Sequence, residues 1–226
     1  MKRASTQLSA RDHDIIEAVQ VLSQVTAGQL QRLFFADGSP VSRSGRARRT
    51  LRRLHGAGFI DRLPYTIRSE EAGDGGNVYI PARAKANRYD PHTIDIGRFY
   101  IALMEAERAG LCKVLEFSPA EVIRGSTAKC DAYLWLDVNG IRTDWYAEID
   151  RNPEGKPQLA VKARAYTKAA KRADVFPRTL YVVTHALRGR MQDRASLIRS
   201  VTARQEYSEQ FQTCVLDEAV KVLLSA

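Results

Sequence analysis

The chain has little that could staple or anchor it. Its three cysteines, Cys112, Cys130 and Cys214, lie far apart in 226 residues and never in C-x-x-C spacing. That argues against a disulfide framework and against a thiolate zinc site. The four histidines, His13, His55, His92 and His185, are as scattered and offer no paired helical metal ligands. No apolar run approaches the roughly 20 residues of a membrane helix. Met1-Lys2-Arg3-Ala4-Ser5 is not followed by the apolar stretch of a secretory signal, so a cytoplasmic location without membrane contact is expected. Acidic charge is the scarcer sign. Against 26 Asp and Glu stand 35 Lys and Arg, a net charge of +9 with a pI near 9.6. The imbalance is steepest early, with 15 basic and 9 acidic side chains in residues 1–90 against 20 and 17 in the rest. Such a chain suits polyanions, whether DNA, RNA or an anionic membrane.

What is present begins with helices. Ser9 is a suitable N-cap with Asp12 three residues on, and Ile15, Ile16, Val19 and Leu22 form an apolar stripe. Thr26 opens a second, short helix with Leu30, Leu33 and Phe34 inward. Ala36-Asp37-Gly38-Ser39-Pro40 reads as a break, after which Ser42 caps a third helix that ends at Gly56-Ala57-Gly58. A strand at Phe59–Leu63, a polar loop from Arg68 to Gly76 and a returning strand at Asn77–Ile80 close the segment. Three helices followed by a hairpin is the winged-helix plan, a helix-turn-helix variant whose third helix enters the major groove.

That third helix carries Arg43, Arg46, Arg48, Arg49, Arg52 and Arg53 and no acid between residues 42 and 55. A solvated helix face usually mixes Glu with its cations, because like charges one turn apart repel. Six unrelieved arginines point to phosphate. Arg43 and Arg46, near the N-terminus, are the expected base readers, and the other four the expected phosphate contacts. Pro81 to His92 reads as a linker and Ile94 to Ala109 as a helix, so a DNA-binding domain is expected over residues 1–90 and a second domain over 91–226.

The second domain alternates strands and helices. Strands are expected at Lys113–Phe117, Lys129–Val138, Ile141–Asp150, Thr179–Thr184 and Thr213–Leu216. Helices are expected at Pro157–Ala173, Gln192–Thr202 and Asp217–Leu224. The fold class is α/β (α+β) with a mixed sheet. Asn139-Gly140 is a strong hairpin signal. In Tyr146-Ala147-Glu148-Ile149-Asp150, Glu148 and Asp150 share one strand face, roughly 6–7 Å apart. A symmetric register about Asn139-Gly140 sets Asp131 opposite Glu148, about 5 Å away across the strands. Asp131, Glu148 and Asp150 thus form a candidate hard-ligand site for Mg²⁺ or Mn²⁺, suited to phosphodiester cleavage. The plainer reading pairs these acids with Arg142 and Arg151.

Five stretches together resemble the replication-relaxation family of plasmids and integrative elements. They are Leu8-Ser9-Ala10-Arg11-Asp12, then Arg48 to Leu54 leading into Gly58-Phe59-Ile60, then Asp131-Ala132-Tyr133-Leu134, then Tyr146 to Arg151, and last Lys162 with Tyr166. The resemblance implies an N-terminal winged helix followed by a restriction-endonuclease-like core, as proposed for mobilisation relaxases. Such cores carry an Asp, then Glu-x-Lys on the next strand. Asp131 and Glu148 match the acids. Asp150 stands where the lysine would be, and Lys162, one helix later, is the substitute. Tyr166 offers a second nucleophile beside metal-activated water, since many relaxases attack DNA with tyrosine. Its bland alternative is a packed core tyrosine.

Two functions follow as expectations. The first is a metal-dependent endonuclease that nicks and relaxes supercoiled DNA at a chosen site, with Asp131, Glu148 and Asp150 on the metal and Lys162 on the phosphate. The second, favoured by the missing Glu-x-Lys lysine, is a non-catalytic transcription or replication regulator with a degenerate nuclease-like domain. The partners expected are double-stranded DNA, with a second copy of the chain or accessory mobilisation and replication proteins.

Overall fold

A computed structural model of the chain describes residues 7–67, 76–151, 154–172, 176–185 and 190–225. Met1–Ser5, residues 68–75 of the expected polar loop, Asn152-Pro153 and Ala173 lie outside the described residues. The fold is mixed α/β, in two compact units, Met1–Ile101 and Ala102–Ala226. The division falls inside a helix, Pro91–Arg108, rather than at residue 90.

In the first unit α1 (Ala10–Leu22) starts from a capping box. Ser9 Oγ accepts from the Asp12 amide and Asp12 Oδ2 accepts from the Ser9 amide, which satisfies two otherwise orphaned donors. After β1 (Val25–Thr26), Thr26 and Gln29 repeat the device for α2 (Ala27–Phe34). Helix α3 spans Pro40–Gly56, three residues earlier at its start than N-capping by Ser42 implied. Ser39-Pro40 is the N-cap and first turn, because proline's fixed φ suits a helix start and its missing N–H is no loss there. Gly58, at φ 78°, ends the segment in a conformation that a Cβ disfavours. Strands β2 (Ile60–Ile67) and β3 (Gly76–Pro81) pair antiparallel, and β1, too short to be evident in the sequence, adds to the far side of β3.

Helix α4 is the one that crosses the division. Its start is held by buried Gln29, whose Nε2 donates to the Ile94 carbonyl at 2.8 Å. Gly97 permits that approach, since a Cβ there would lie 3.1 Å from Gln29 Nε2.

The second unit is a five-stranded sheet of β4 (Lys113–Pro119), β5 (Ala132–Val138), β6 (Ile141–Asp150), β7 (Arg178–Val183) and β8 (Phe211–Val215), in that order. The first three strands are antiparallel and the last three parallel. Asn139 and Gly140, both at positive φ, turn the β5–β6 hairpin. The register pairs Ala132 with Ala147 and Val138 with Ile141, the symmetric one that the turn implied. Helix α5 (Lys156–Ala170) crosses from β6 to β7, and α6 (Met191–Thr202) from β7 to β8. Both cover one sheet face, where Leu159, Ala163, Tyr166, Ala195 and Ile198 pack on Tyr146, Tyr181, Val183 and Phe211. A last helix, α7 (Leu216–Leu224), packs on β7 and β8.

One ion pair ties α1 to α3. Arg53 Nη2 lies 2.5 Å from Asp12 Oδ1. Burial alone would raise the Asp12 pKa, but Arg53 and the cap hydrogen bonds outweigh it and hold the group down at about 2. A depressed carboxyl stabilises the fold above its unfolded pKa near 4 and loses that contribution as pH falls towards 2. Arg53 is 42% exposed, so screening limits the effect. Asp12→Asn is expected to cost about 1 kcal/mol at pH 7. In pH-dependent thermal unfolding the cost should vanish near pH 2.

Candidate functional site

The site is built on the β6 face that α5 and α6 cover. Because side chains alternate along a strand, Glu148 and Asp150 both point into this layer. The two carboxylates then diverge. Glu148, 1% exposed, lies beneath α5, where Lys162 Nζ sits 2.5 Å from Oε2 and the Tyr166 hydroxyl donates to Oε1. Lys162 and Tyr166, one helical turn apart, therefore grip the two oxygens of one carboxylate. Asp131 stands just before β5, opposite Glu148. There β5 pairing has ended, and Asp131 Oδ2 accepts the Ile149 amide at 2.7 Å. This keeps a strand amide satisfied and holds the second acid at the site.

Asp150, expected as a third metal ligand, is held elsewhere. Arg194 of α6 donates from Nε and Nη2 to its two oxygens, each at 2.7 Å, in a bidentate fork. The same guanidinium donates from Nη1 to the Glu154 carbonyl at 2.8 Å, closing the turn between β6 and α5. Both partners are buried, so this pair belongs to the core. The carboxylate is spent on Arg194 because a buried acid without a cation is costly. Sequence reasoning missed Arg194, although a signal existed. It shares the inward stripe of α6 with Ile198 and Val201, an unusual place for arginine. Tyr181 was missed too. It pairs with Glu148 in the β6–β7 register, and its buried hydroxyl has no hydrogen-bond partner among the described residues.

The electrostatics separate the roles. Burial pushes the Glu148 pKa up to about 8 against the pull of Lys162, with Asp131 adding to the rise. Burial acts to lower Lys162, but Glu148 and Asp131 overcome it and raise the ammonium to about 12. Lys162 thus stays charged, while burial favours the protonated form of Glu148. Tyr166 is 1% exposed, and burial with the Glu148 charge drives its hydroxyl far above the usual range. Its hydroxyl proton is committed to Glu148, which it supports.

Asp131 and Glu148 offer hard oxygen donors, and Mg²⁺ can be held by one or two carboxylates plus waters. In this structure their oxygens are engaged by Lys162, Tyr166 and the Ile149 amide. No group of three His, Cys, Asp or Glu suited to a metal occurs among the described residues.

In the first unit the six arginines of α3 also divide. Arg43 Nη1 donates to the Ala36 carbonyl at 3.3 Å and Arg46 Nη2 donates to the Asp37 carbonyl, so both expected base readers brace the α2–α3 turn. Arg53 is tied to Asp12. Arg48, Arg49 and Arg52 are exposed, with no ion pair among the described residues.

A family model described as replication-relaxation matches residues 16–180. No curated protein matches the chain. Among solved structures, protein VC1899 from Vibrio cholerae aligns at 13% identity and a TM-score of 0.35, over 96% of this chain and 56% of that one. The chain thus spans little more than half of that protein. No helix among the described residues is long and apolar enough to cross a membrane.

Two stability measurements test the assignment. A Glu148 pKa raised above its unfolded value means that the folded state binds the extra proton, so stability falls as pH rises from about 4.5 to about 8. Glu148→Gln is expected to flatten that fall in thermal unfolding. Arg194→Met should cost about 3–5 kcal/mol by leaving Asp150 buried without a cation, and Asp150→Asn added to it should recover part of the loss in denaturant titration.

Proposed function

The chain belongs to the replication-relaxation family, and from that premise we propose a two-part protein that binds DNA with its first unit and nicks it with its second. The first unit acts as a winged helix on double-stranded DNA, with Arg48, Arg49 and Arg52 of α3 as phosphate contacts. The second cleaves one strand of a supercoiled plasmid or mobile element and so relaxes it. One observation carries the catalytic half: Lys162 reaches Glu148 beside Asp131, across an element boundary, on one sheet face.

The chain's own residues suit phosphodiester hydrolysis. Lys162, charged throughout the physiological range, offsets the phosphate's charge as it grows towards the transition state. Glu148, in its ionised form, accepts the proton of the attacking water. That water's oxygen bonds to phosphorus as the bond to the leaving sugar oxygen breaks, and solvent protonates the leaving oxygen. Tyr166 holds Glu148 in place, and Asp131 keeps a second negative charge beside it. Asp131 and Glu148 would hold Mg²⁺ or Mn²⁺, which supplies charge stabilisation and a more acidic water when bound.

The fork between Arg194 and Asp150 favours a second reading, in which the site has lost a ligand and the protein regulates by binding alone. Supercoiled cognate DNA with Mg²⁺ separates the two. Wild type should yield open circles, and Glu148→Ala should lose nicking by at least a hundredfold while retaining DNA affinity. Open circles formed equally well by the variant would refute the site, and none from wild type would leave the regulator. Alanine at Arg48, Arg49 and Arg52 together should weaken DNA binding and leave thermal stability within about 0.5 kcal/mol, as for exposed positions.

A further inference from the structure

A groove of about 540 Å³ runs between α5 and α6 in the second unit, lined by Lys156, Pro157, Ala160 and Arg164 on one side and by Ser200, Val201, Arg204 and Gln205 on the other. Among the described residues, three cations line it and no acid does. Several other cations in this layer are committed. Lys162 meets Glu148, Arg194 meets Asp150, Lys171 meets Glu206, and Arg199 meets the Thr213 carbonyl. Lys156, Arg164 and Arg204 are exposed, and their side chains have no ion pair or hydrogen bond among the described residues. Three like charges around one concavity repel each other, a cost that a bound anion removes.

The end of the groove adds to this field. Lys156 and Pro157 form the first turn of α5, whose N-cap, Gly155, provides no side-chain cap, and no acid occupies that turn. The positive end of a fifteen-residue helix therefore faces the same place as the three cations. Pro157, Ala160 and Val201 form its floor and no aromatic ring lines it among the described residues, so the cations set its chemistry, which is that of phosphate. Arg164 and Lys162 are two residues apart, about 200° around the helix. The groove and the Glu148 cluster thus occupy opposite flanks of α5.

We propose that this groove binds backbone phosphates of the DNA that the second unit cleaves, holding the strand at a point separate from the carboxylate cluster. This rests on the DNA-processing reading above. It assigns the groove a sequence-independent grip, distinct from contacts made by α3.

The test uses the full chain and measures affinity against salt for cognate and unrelated duplexes. Arg164→Ala with Arg204→Ala should weaken both equally and make the slope of log affinity against log salt shallower by about 1.8, two phosphate contacts' worth. Arg164→Lys with Arg204→Lys should keep the wild-type slope, since charge and not shape is required. Thermal unfolding should be unchanged in both, which separates lost contacts from lost fold. An unchanged slope in the alanine variant, with wild type binding DNA, overturns the groove and leaves the α3 and Glu148 assignments standing. Failure of wild type to bind any DNA overturns the reading beneath it as well.

Discussion

A carboxylate enclosed in the layer between a sheet and its crossover helices must find a cation or keep its proton. That constraint organises the second unit. β6 presents two acids to one layer, and each is answered differently. Glu148 meets a lysine and a tyrosine from α5, and burial still leaves its pKa near 8. Asp150 meets a guanidinium from α6 that encloses both its oxygens. A fork of two charge-assisted hydrogen bonds satisfies an acid fully, whereas a single ammonium one-third exposed to solvent does not. The first arrangement builds structure. The second leaves a carboxyl that burial pushes towards its protonated form beside a partly exposed ammonium.

The same division of labour recurs on α3. A row of arginines with no intervening acid looks like one surface, yet half of it is structural. Arg43 and Arg46 satisfy carbonyls at the preceding turn, where the chain reverses and leaves acceptors without helical partners. Arg53 relieves the charge of a capping aspartate on another helix. Only Arg48, Arg49 and Arg52 of the six remain exposed without such duties among the described residues. On α3, then, local chemistry consumes the charges nearest to the chain reversal and the cap, and the rest face solvent.

Much of this was legible before any coordinates. The capping boxes at Ser9 and Thr26, the hairpin at Asn139-Gly140 and the opposition of Asp131 to Glu148 follow from local rules, because caps and two-residue turns are set by a few adjacent residues. Errors arose where the same residues admit two local roles. Ser39-Pro40 can break a chain or begin a helix. Strand β1, two residues long, has no periodicity to detect and exists only because β3 lies beside it.

The sequence by itself determined which acids share a face, since strand alternation and turn register are local and periodic. It also placed Lys162 and Tyr166 one turn apart on a helix that follows. It could not determine which acid each cation would reach. Lys162 with Glu148 and Arg194 with Asp150 are contacts between residues 14 and 44 positions apart. Only the packing of α5 and α6 across the sheet decides them, because the cost of leaving a charge unpaired is felt only once water has been excluded.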